Sequence, residues 1–249
     1  MDLQTLQVLK ASGEYEPFSE EKVRSSLERA GADKPTIDQL VTHVKGELYE
    51  GIPTQKIYSH IFDLLRHKKS NLASRYNLKE AIMQLGPTGF PFERFVAGIL
   101  VVNGYQVEGD KIVEGKCVTH EIDVAAQKDS EKFMIECKYH NRQGTKTDVK
   151  VALYIQARFL DVQSAFNQAW LVTNTKATIE ACDYAQCVGL KLISWNWPPD
   201  GSLRDLIEKS GLHPITSLDL SHGDKQRLLA KGIVFQKDLP KEFLKERKE

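Results

Sequence analysis

Residues 120–141 read HEIDVAAQKDSEKFMIECKYHN, and the fold of the chain turns on them. Two short apolar-alternating runs, EIDVAA and KFMIECKY, flank the charged segment Gln127-Lys128-Asp129-Ser130-Glu131, a pattern that predicts a β-hairpin. Successive side chains on a strand point to opposite faces, so Glu136 and Lys138 share one face while Ile135 and Cys137 take the other. On the first strand Asp123 stands between Ile122 and Val124 and shares a face with Glu121. Pairing of the two strands can bring Asp123, Glu136 and Lys138 to one side. Two carboxylates and an ammonium among apolar residues make a poor core and a good cradle for a divalent metal. Taken alone, Glu-x-Lys on an apolar strand more often marks the solvated face of an edge strand, so its meaning depends on the surroundings.

At 249 residues, with 41% hydrophobic and 27% charged residues, the chain can bury one large core or two smaller ones, and a disordered polymer is excluded. Net charge is zero. Bulk charge therefore points to no polyanion partner, and any nucleic-acid surface must be local. The four cysteines, Cys117, Cys137, Cys182 and Cys187, lack C-x-x-C spacing, which argues against a zinc site and suits reduced thiols. The N-terminus has neither the basic nor the apolar region of a signal peptide, and the longest apolar run, near Phe95–Val102, is too short to span a bilayer. A cytoplasmic protein without membrane contact is expected.

Residues 6–18 read as a small hairpin, with Leu6, Val8 and Lys10 leading to Ser12-Gly13 and Tyr15 to Phe18 running back. Four helical patterns follow. The first starts after Ser19 as N-cap, carries Val23, Leu27 and Ala30, and stops at Gly31. The second begins at Thr36 in a capping box with Gln39 and carries Ile37, Leu40, Val41, Val44 and Leu48. The third follows Pro53-Thr54 with Ile57, Ile61, Leu64 and Leu65 inward; the fourth carries Leu72, Tyr76, Ala81, Ile82 and Leu85 and ends at Gly86-Pro87. Residues 1–87 thus spell an independent domain.

In Val8-Leu9-Lys10, Gly13, Glu16-Pro17-Phe18, Lys22, Gly51-Ile52-Pro53-Thr54-x-x-Ile57 and Ala73-Ser74-Arg75-Tyr76-Asn77-Leu78, this domain resembles the ATP cone, the nucleotide-binding module of the regulatory end of ribonucleotide reductases. The resemblance implies that the hairpin and first helix close over ATP or dATP, with Val8 at the base, Lys10 and Lys22 at the phosphates and Thr54 hydrogen-bonding in the same pocket. Ammonium groups are point charges suited to a polyphosphate, and a threonine at a helix start can share an anion with free backbone N–H groups. Ala11 stands where the family often has Arg, which removes one phosphate contact. No Walker-type loop is present, so the nucleotide would be bound as a signal rather than hydrolysed. Without the resemblance, a helical docking domain with ordinary surface lysines would account for the same residues.

Gly86-Pro87-Thr88-Gly89 reads as a stiff linker. Beyond it comes a helix, Phe92–Asn103, with Phe92, Phe95, Val96, Ile99, Leu100 and Val102 buried, then a weaker strand pair at Tyr105–Glu108 and Lys111–Val113 and the opening hairpin. A long helix from Thr147 to about Val162, a buried strand Ala169–Thr173, a helix Thr175–Val188 and a strand Leu190–Trp195 complete the order α-β-β-β-α-β-α-β. With Asp123 and Glu136-Cys137-Lys138, that order resembles the PD-(D/E)XK nuclease superfamily, closest to its type IV restriction endonuclease and Holliday-junction resolvase branch. The resemblance implies a nuclease domain over 90–198, in which Asp123 and Glu136 bind Mg2+ together with the backbone carbonyl between Glu and Lys. The metal would activate water and neutralise the scissile phosphate, and Lys138 would orient or deprotonate that water. Glu93 in the early helix and Gln156 in the long one match the family's accessory polar positions. Glu93 equally suits a helix first turn, and Gln156 lies one position off a Leu153/Ala157 stripe. Tyr154, Arg158 and Lys150 could reach DNA phosphates or stay in solvent, and His120 and His140 read as solvated or structural and not as ligands.

Residues 199–249 form a tail. Ser202 caps a short helix that Gly211 stops, a second helix runs from about Asp224 to Ala230, and a final polar helix follows Asp238-Leu239. The segment around Gly232-Ile233 resembles one helix-hairpin-helix unit, whose turn would offer N–H groups to a DNA phosphate with support from Lys225, Arg227 and Lys231. The whole is an α/β (α+β) chain: a hairpin-plus-four-helix cone, a restriction-endonuclease-like αβββαβ core and a small helical tail. The expected function is Mg2+-dependent DNA cleavage switched by ATP or dATP. The alternative is a non-cleaving nucleotide sensor that binds DNA or a protein through the same fold. A homodimer would suit an enzyme that cuts two strands.

Overall fold

A short hairpin opens the chain in the computed structural model, which describes residues 6–68, 70–241 and 243. Strand β1 (Gln7–Leu9) pairs antiparallel with β2 (Tyr15–Pro17), and the turn between them needs Gly13, whose φ is 87°. A third strand, β3 (Ile52–Pro53), joins β1 in parallel, with Val8 opposite Ile52. Two residues show no alternation, so the sequence does not announce it.

Helix α1 (Glu20–Arg29) is capped by Ser19, whose side chain accepts from the Lys22 N–H. Helix α2 (Lys34–Glu47) starts earlier than expected: Asp33 is its N-cap, taking the Thr36 N–H at 3.0 Å, so Thr36 stands inside the helix and not at its cap. Asp33 followed by Pro35 in the first turn already supplies a complete start signal. Helix α3 (Thr54–Lys68) follows, and the single helix expected over 72–85 is two, α4 (Ser70–Tyr76) and α5 (Leu78–Met83). The Tyr58 hydroxyl donates to the Tyr76 carbonyl at 2.6 Å and lies 3.1 Å from Asn77 Oδ1, satisfying side-on a carbonyl that a continuous helix would use internally. Leu27, Ile37, Val41, Ile61 and Leu65 form the core of this part of the chain.

The chain divides into two compact units, Met1–Glu80 and Ala81–Glu249. The second holds α6 (Phe90–Val102), β4 (Gln106–Glu114), β5 (Thr119–Lys128), β6 (Glu131–Lys138), β7 (Lys146–Thr147), α7 (Val149–Asp161), β8 (Gln168–Thr173), β9 (Lys176–Ala177), α8 (Ile179–Val188) and β10 (Lys191–Ile193). Five strands make one mixed sheet in the order β10-β8-β6-β5-β4, with β4, β5 and β6 antiparallel and β6, β8 and β10 parallel. The expected strand pair at 105–113 is one strand: Asp110 takes φ 49°, yet pairing with β5 keeps one register on both sides of it. Strands β7 and β9 form a separate parallel pair, which delays the start of α8 until after its N-cap Thr178.

Ala152 and Ile155 of α7 and Ala181 and Ala185 of α8 pack with Met134 and Leu171 of the sheet. The stripe on α7 is therefore not Leu153/Ala157, and Leu153 is 46% exposed. Val102, in the last turn of α6, is also exposed.

In the tail, Ser202 and Asp205 form a full capping box for α9 (Leu203–Ser210). Helix α10 (His222–Ala230) begins at Ser221. The N–H groups of Gly232 and Ile233 donate to the Leu229 and Leu228 carbonyls, so the turn closes α10 instead of presenting free donors. Lys225 donates to Gln84, and Arg227 pairs with Asp224. The final polar helix lies almost wholly outside the described residues. No described helix is long and apolar enough to cross a membrane.

Candidate active site

Pairing of β5 with β6 runs up to Val124 opposite Ile135 and then stops, while β6 continues beside β8 until Lys138 lies opposite Thr173. Asp123 and Glu136 are the first residues past that last rung. They follow Ala125 and Met134 on the face that packs with α7. Where the strands part, the Cys137 N–H takes the Asp123 side chain as acceptor, with Oδ2 at 2.7 Å.

Glu136 lies on a central strand and is only 7% exposed. An edge-strand charge in solvent is thereby ruled out for it. Its Oε2 is ion-paired with Arg158 Nη1, and its Oε1 is buried without a hydrogen-bond partner among the described residues. Arg158 is itself held from behind: Nη2 donates to the Glu121 carbonyl and Nε to His120 Nδ1 at 3.4 Å. His120 Nε2 in turn meets Asp161 at 2.8 Å, and Asp161 accepts the Cys117 and Val118 N–H groups. A chain of contacts thus runs from Asp161 through His120 and Arg158 to Glu136. The His120 side chain is thus held within the protein, and the His140 ring meets Thr147 at 3.0 Å.

Burial, then the Asp123 charge, pushes Glu136 up to about 8, against the opposing pull of Arg158. Burial, then Asp123, Asp110 and Glu121, pushes Glu93 up to about 7. Burial also raises Asp123, although the Cys137 N–H and Arg158 oppose it. These carboxyl groups hinder one another's ionisation, and one guanidinium does not balance them. The residues fit a hard divalent cation: their donors are carboxylate oxygens, and one buried oxygen has no partner.

The other expected residues stand less close. Lys138 is exposed and makes no hydrogen bond to Asp123 or Glu136; it lies near enough to His140 to help burial lower that ring's pKa. Gln156 is half-buried on α7 without a hydrogen bond to the cluster. Arg158 is the residue that sequence reasoning misplaced, in solvent or against DNA. Its spacing held the signal, because Ile155, Arg158 and Val162 lie on one helical stripe whose other two members are buried.

In the first unit Lys10 and Lys22 converge on one carboxylate, with Glu16 oxygens at 2.9 and 3.1 Å. Burial works to raise Glu16, but hydrogen bonds from the two lysines outweigh it and hold the carboxyl low. Thr54 is the half-buried first residue of α3. Val8 is buried in the core on β1, the middle strand of its sheet, where it stands opposite Glu16 in the β1–β2 register.

Residues 6–79 match the family described as ATP cone domain, and residues 87–196 match the family described as Restriction endonuclease. The chain is an ATP cone followed by a restriction-endonuclease-like domain. An uncharacterized protein of Archaeoglobus fulgidus is 43% identical over 145 residues, which make up 58% of this chain and 83% of the relative. The crystal structure of a protein of unknown function matches with 42% identity and a TM-score of 0.55, covering 61% of this chain and 82% of that one. Can2 from Sulfobacillus thermosulfidooxidans, in complex with cyclic tetra-adenylate, covers 79% of this chain and 64% of its own at 13% identity and a TM-score of 0.33, too remote to carry an argument. The lysine pair around Glu16 belongs to the cone, and the carboxylate cluster belongs to the restriction-endonuclease-like domain.

Proposed function

We propose that the chain is a Mg2+-dependent DNA endonuclease whose cone binds ATP or dATP as a regulatory signal. The carrying observation is the buried Glu136 beside the half-buried Asp123 and Glu93, each raising the ionisation cost of the others, with Glu136 Oε1 left unpartnered among the described residues. Asp123 and Glu136 would hold the ion, and magnesium bound there would supply a water of lowered pKa and charge neutralisation at the scissile phosphate. The chain's own residues prepare that place. The Cys137 N–H fixes Asp123, the central strand fixes Glu136, and Arg158 favours the ionised form of Glu136 against burial. Lys138, two residues beyond Glu136 on the same face, orients the attacking water and meets the charge growing on the pentavalent phosphate. Glu93 from α6 and Gln156 from α7 serve as accessory catalytic residues at the same site. In the cone, Lys10 and Lys22 exchange Glu16 for nucleotide phosphates, and Thr54 joins them from the start of α3.

One observation favours a second reading. The Arg158–Glu136 ion pair already gives Glu136 a positive partner, as suits a nucleotide sensor that binds DNA or a protein without cutting. Plasmid and branched DNA incubated with Mg2+, with and without ATP or dATP, decide between them. Cleavage that requires Mg2+ and is lost in Lys138→Ala supports the nuclease. Intact DNA in every condition, or equal cutting by the variant, sinks it. Calorimetric titration of ATP into wild type and Lys22→Ala tests the cone.

A further inference from the structure

We infer that the cone carries a site for a divalent transition-metal ion, built from His43, Glu47 and His60. His43 and Glu47 are four residues apart on α2, which puts them on one side of that helix, and His60 comes from α3. The Glu47 carboxylate serves both rings: Oε1 lies 3.4 Å from His43 Nε2, and Oε2 lies 3.1 Å from His60 Nδ1. The three ligand atoms all lie within 4.8 Å of one another. The imidazole rings stack with centroids 4.9 Å apart and planes 16° apart, so both present a nitrogen to the same carboxylate. The other nitrogen of His60, Nε2, is buried without a partner among the described residues, which leaves Nδ1 as that ring's interacting atom.

The donor set decides the class of ion. Donor atoms of a tetrahedral centre with bonds of about 2.1 Å stand about 3.4 Å apart, which is the spacing already present at Glu47. Two imidazole nitrogens and one carboxylate select Zn2+, Co2+ or Ni2+ over Mg2+, which demands oxygen ligands. Three protein ligands leave a position for water. The side chains of all three residues are a third to a half exposed, so an ion can enter from solvent. Glu47 ends α2 and Thr54 begins α3, so the ion would clamp the connection that carries β3 and Thr54.

The test uses the full chain without an affinity tag, stripped with a chelator and held in excess Mg2+ to occupy oxygen-rich sites. Co2+ is titrated by visible absorption and Zn2+ by calorimetry. One ion per chain is expected, with affinity weakened at least about 10-fold in His43→Ala and Glu47→Gln and unchanged in Asp123→Asn. His43 is exposed, and a circular dichroism spectrum identical to wild type shows that His43→Ala folds. The site is overturned by the absence of saturable binding, by equal affinity in His43→Ala, or by loss in Asp123→Asn alone.

Discussion

Both domains gather acids and bases around one glutamate, with two ammonium groups on it in the cone and one guanidinium in the other. In the cone, Glu16 bridges two ammonium groups, Lys10 and Lys22, whose side chains are 38% and 68% exposed, and the more exposed Glu14 stands 4.0 Å from Lys10. In the restriction-endonuclease-like domain, Glu136 and Asp123 have one guanidinium between them, Glu93 adds a further acid, and the side chains of Glu136 and Arg158 are only 9% and 13% exposed. The two glutamates accordingly shift in opposite directions, Glu16 down and Glu136 up. The sign of the surplus charge indicates the sign of the ligand. Burial decides how strongly the protein registers that ligand's absence. Exposed surplus charge is screened by water and salt, whereas buried surplus charge is not. The cone's arrangement therefore costs little without nucleotide, and the carboxylate cluster is held at a penalty.

The largest effect should come from removing an acid from the buried group. Asp123→Asn or Glu136→Gln is expected to lower Mg2+-dependent DNA cleavage by about 10^3-fold or more, and chelation of the metal to abolish it. Retention of most activity in either variant would break the assignment of negative surplus to a metal. The next effect should come from the single counter-charge. Arg158 opposes the rise of Glu136, so Arg158→Gln leaves that carboxyl still harder to ionise. Cleavage near neutral pH should fall roughly 30-fold, and the acidic limb of the pH–rate profile should move to higher pH. A tenfold rise in Mg2+ should move that limb back by about one pH unit if the ion displaces one proton, and by about half a unit if it displaces two. A limb that stays in place would show that Arg158 acts elsewhere.

Periodicity made most of this arrangement legible. Alternation on β6 is enough to put Glu136 and Lys138 on one face, and the order of helices and strands around it matches the observed sheet. What periodicity cannot supply is the partner across space. On α7 an apolar residue, Leu153, lies outward while Arg158 goes in, because the inward stripe is set by what faces the helix and there it is a carboxylate. The break between α4 and α5 likewise depends on a hydroxyl eighteen residues upstream, and β3 exists only because β1 lies alongside to pair with it. The Glu16 bridge between Lys10 and Lys22 is of the same kind. Its three members lie within a hairpin and one helix turn, but only the fold brings their charges to one point.

That bridge can be broken in two directions. Lys22→Ala removes a positive partner and should weaken ATP binding about 10-fold. Glu16→Gln removes the anion that nucleotide phosphates must displace and should strengthen binding a few-fold, an opposite sign at the same place. Calorimetry on both variants suffices. Weakening in both would mean that Glu16 belongs to the bound state and is no place-holder.

The smallest effect concerns stability, and it asks whether Glu93 shares the penalty of the buried group. Burial and neighbouring carboxylates raise its pKa from 4.5 to about 7 in the folded chain. Its stabilising contribution is therefore fully present below the unfolded carboxyl value and is lost as pH climbs through about 7. Glutamine has no such proton to lose. In metal-free protein, Glu93→Gln should match wild type near pH 4.5 and exceed it by about 1 kcal/mol near pH 8, a figure discounted for the solvent that reaches this half-buried side chain. The three tryptophans, Trp170, Trp195 and Trp197, all lie in the second unit, so their fluorescence in urea reports the relevant unfolding. Mg2+ should shrink the difference by neutralising the charge that glutamine removes. A variant no more stable at alkaline pH would detach Glu93 from Asp123 and Glu136 and leave it as an ordinary acidic residue in the first turn of α6.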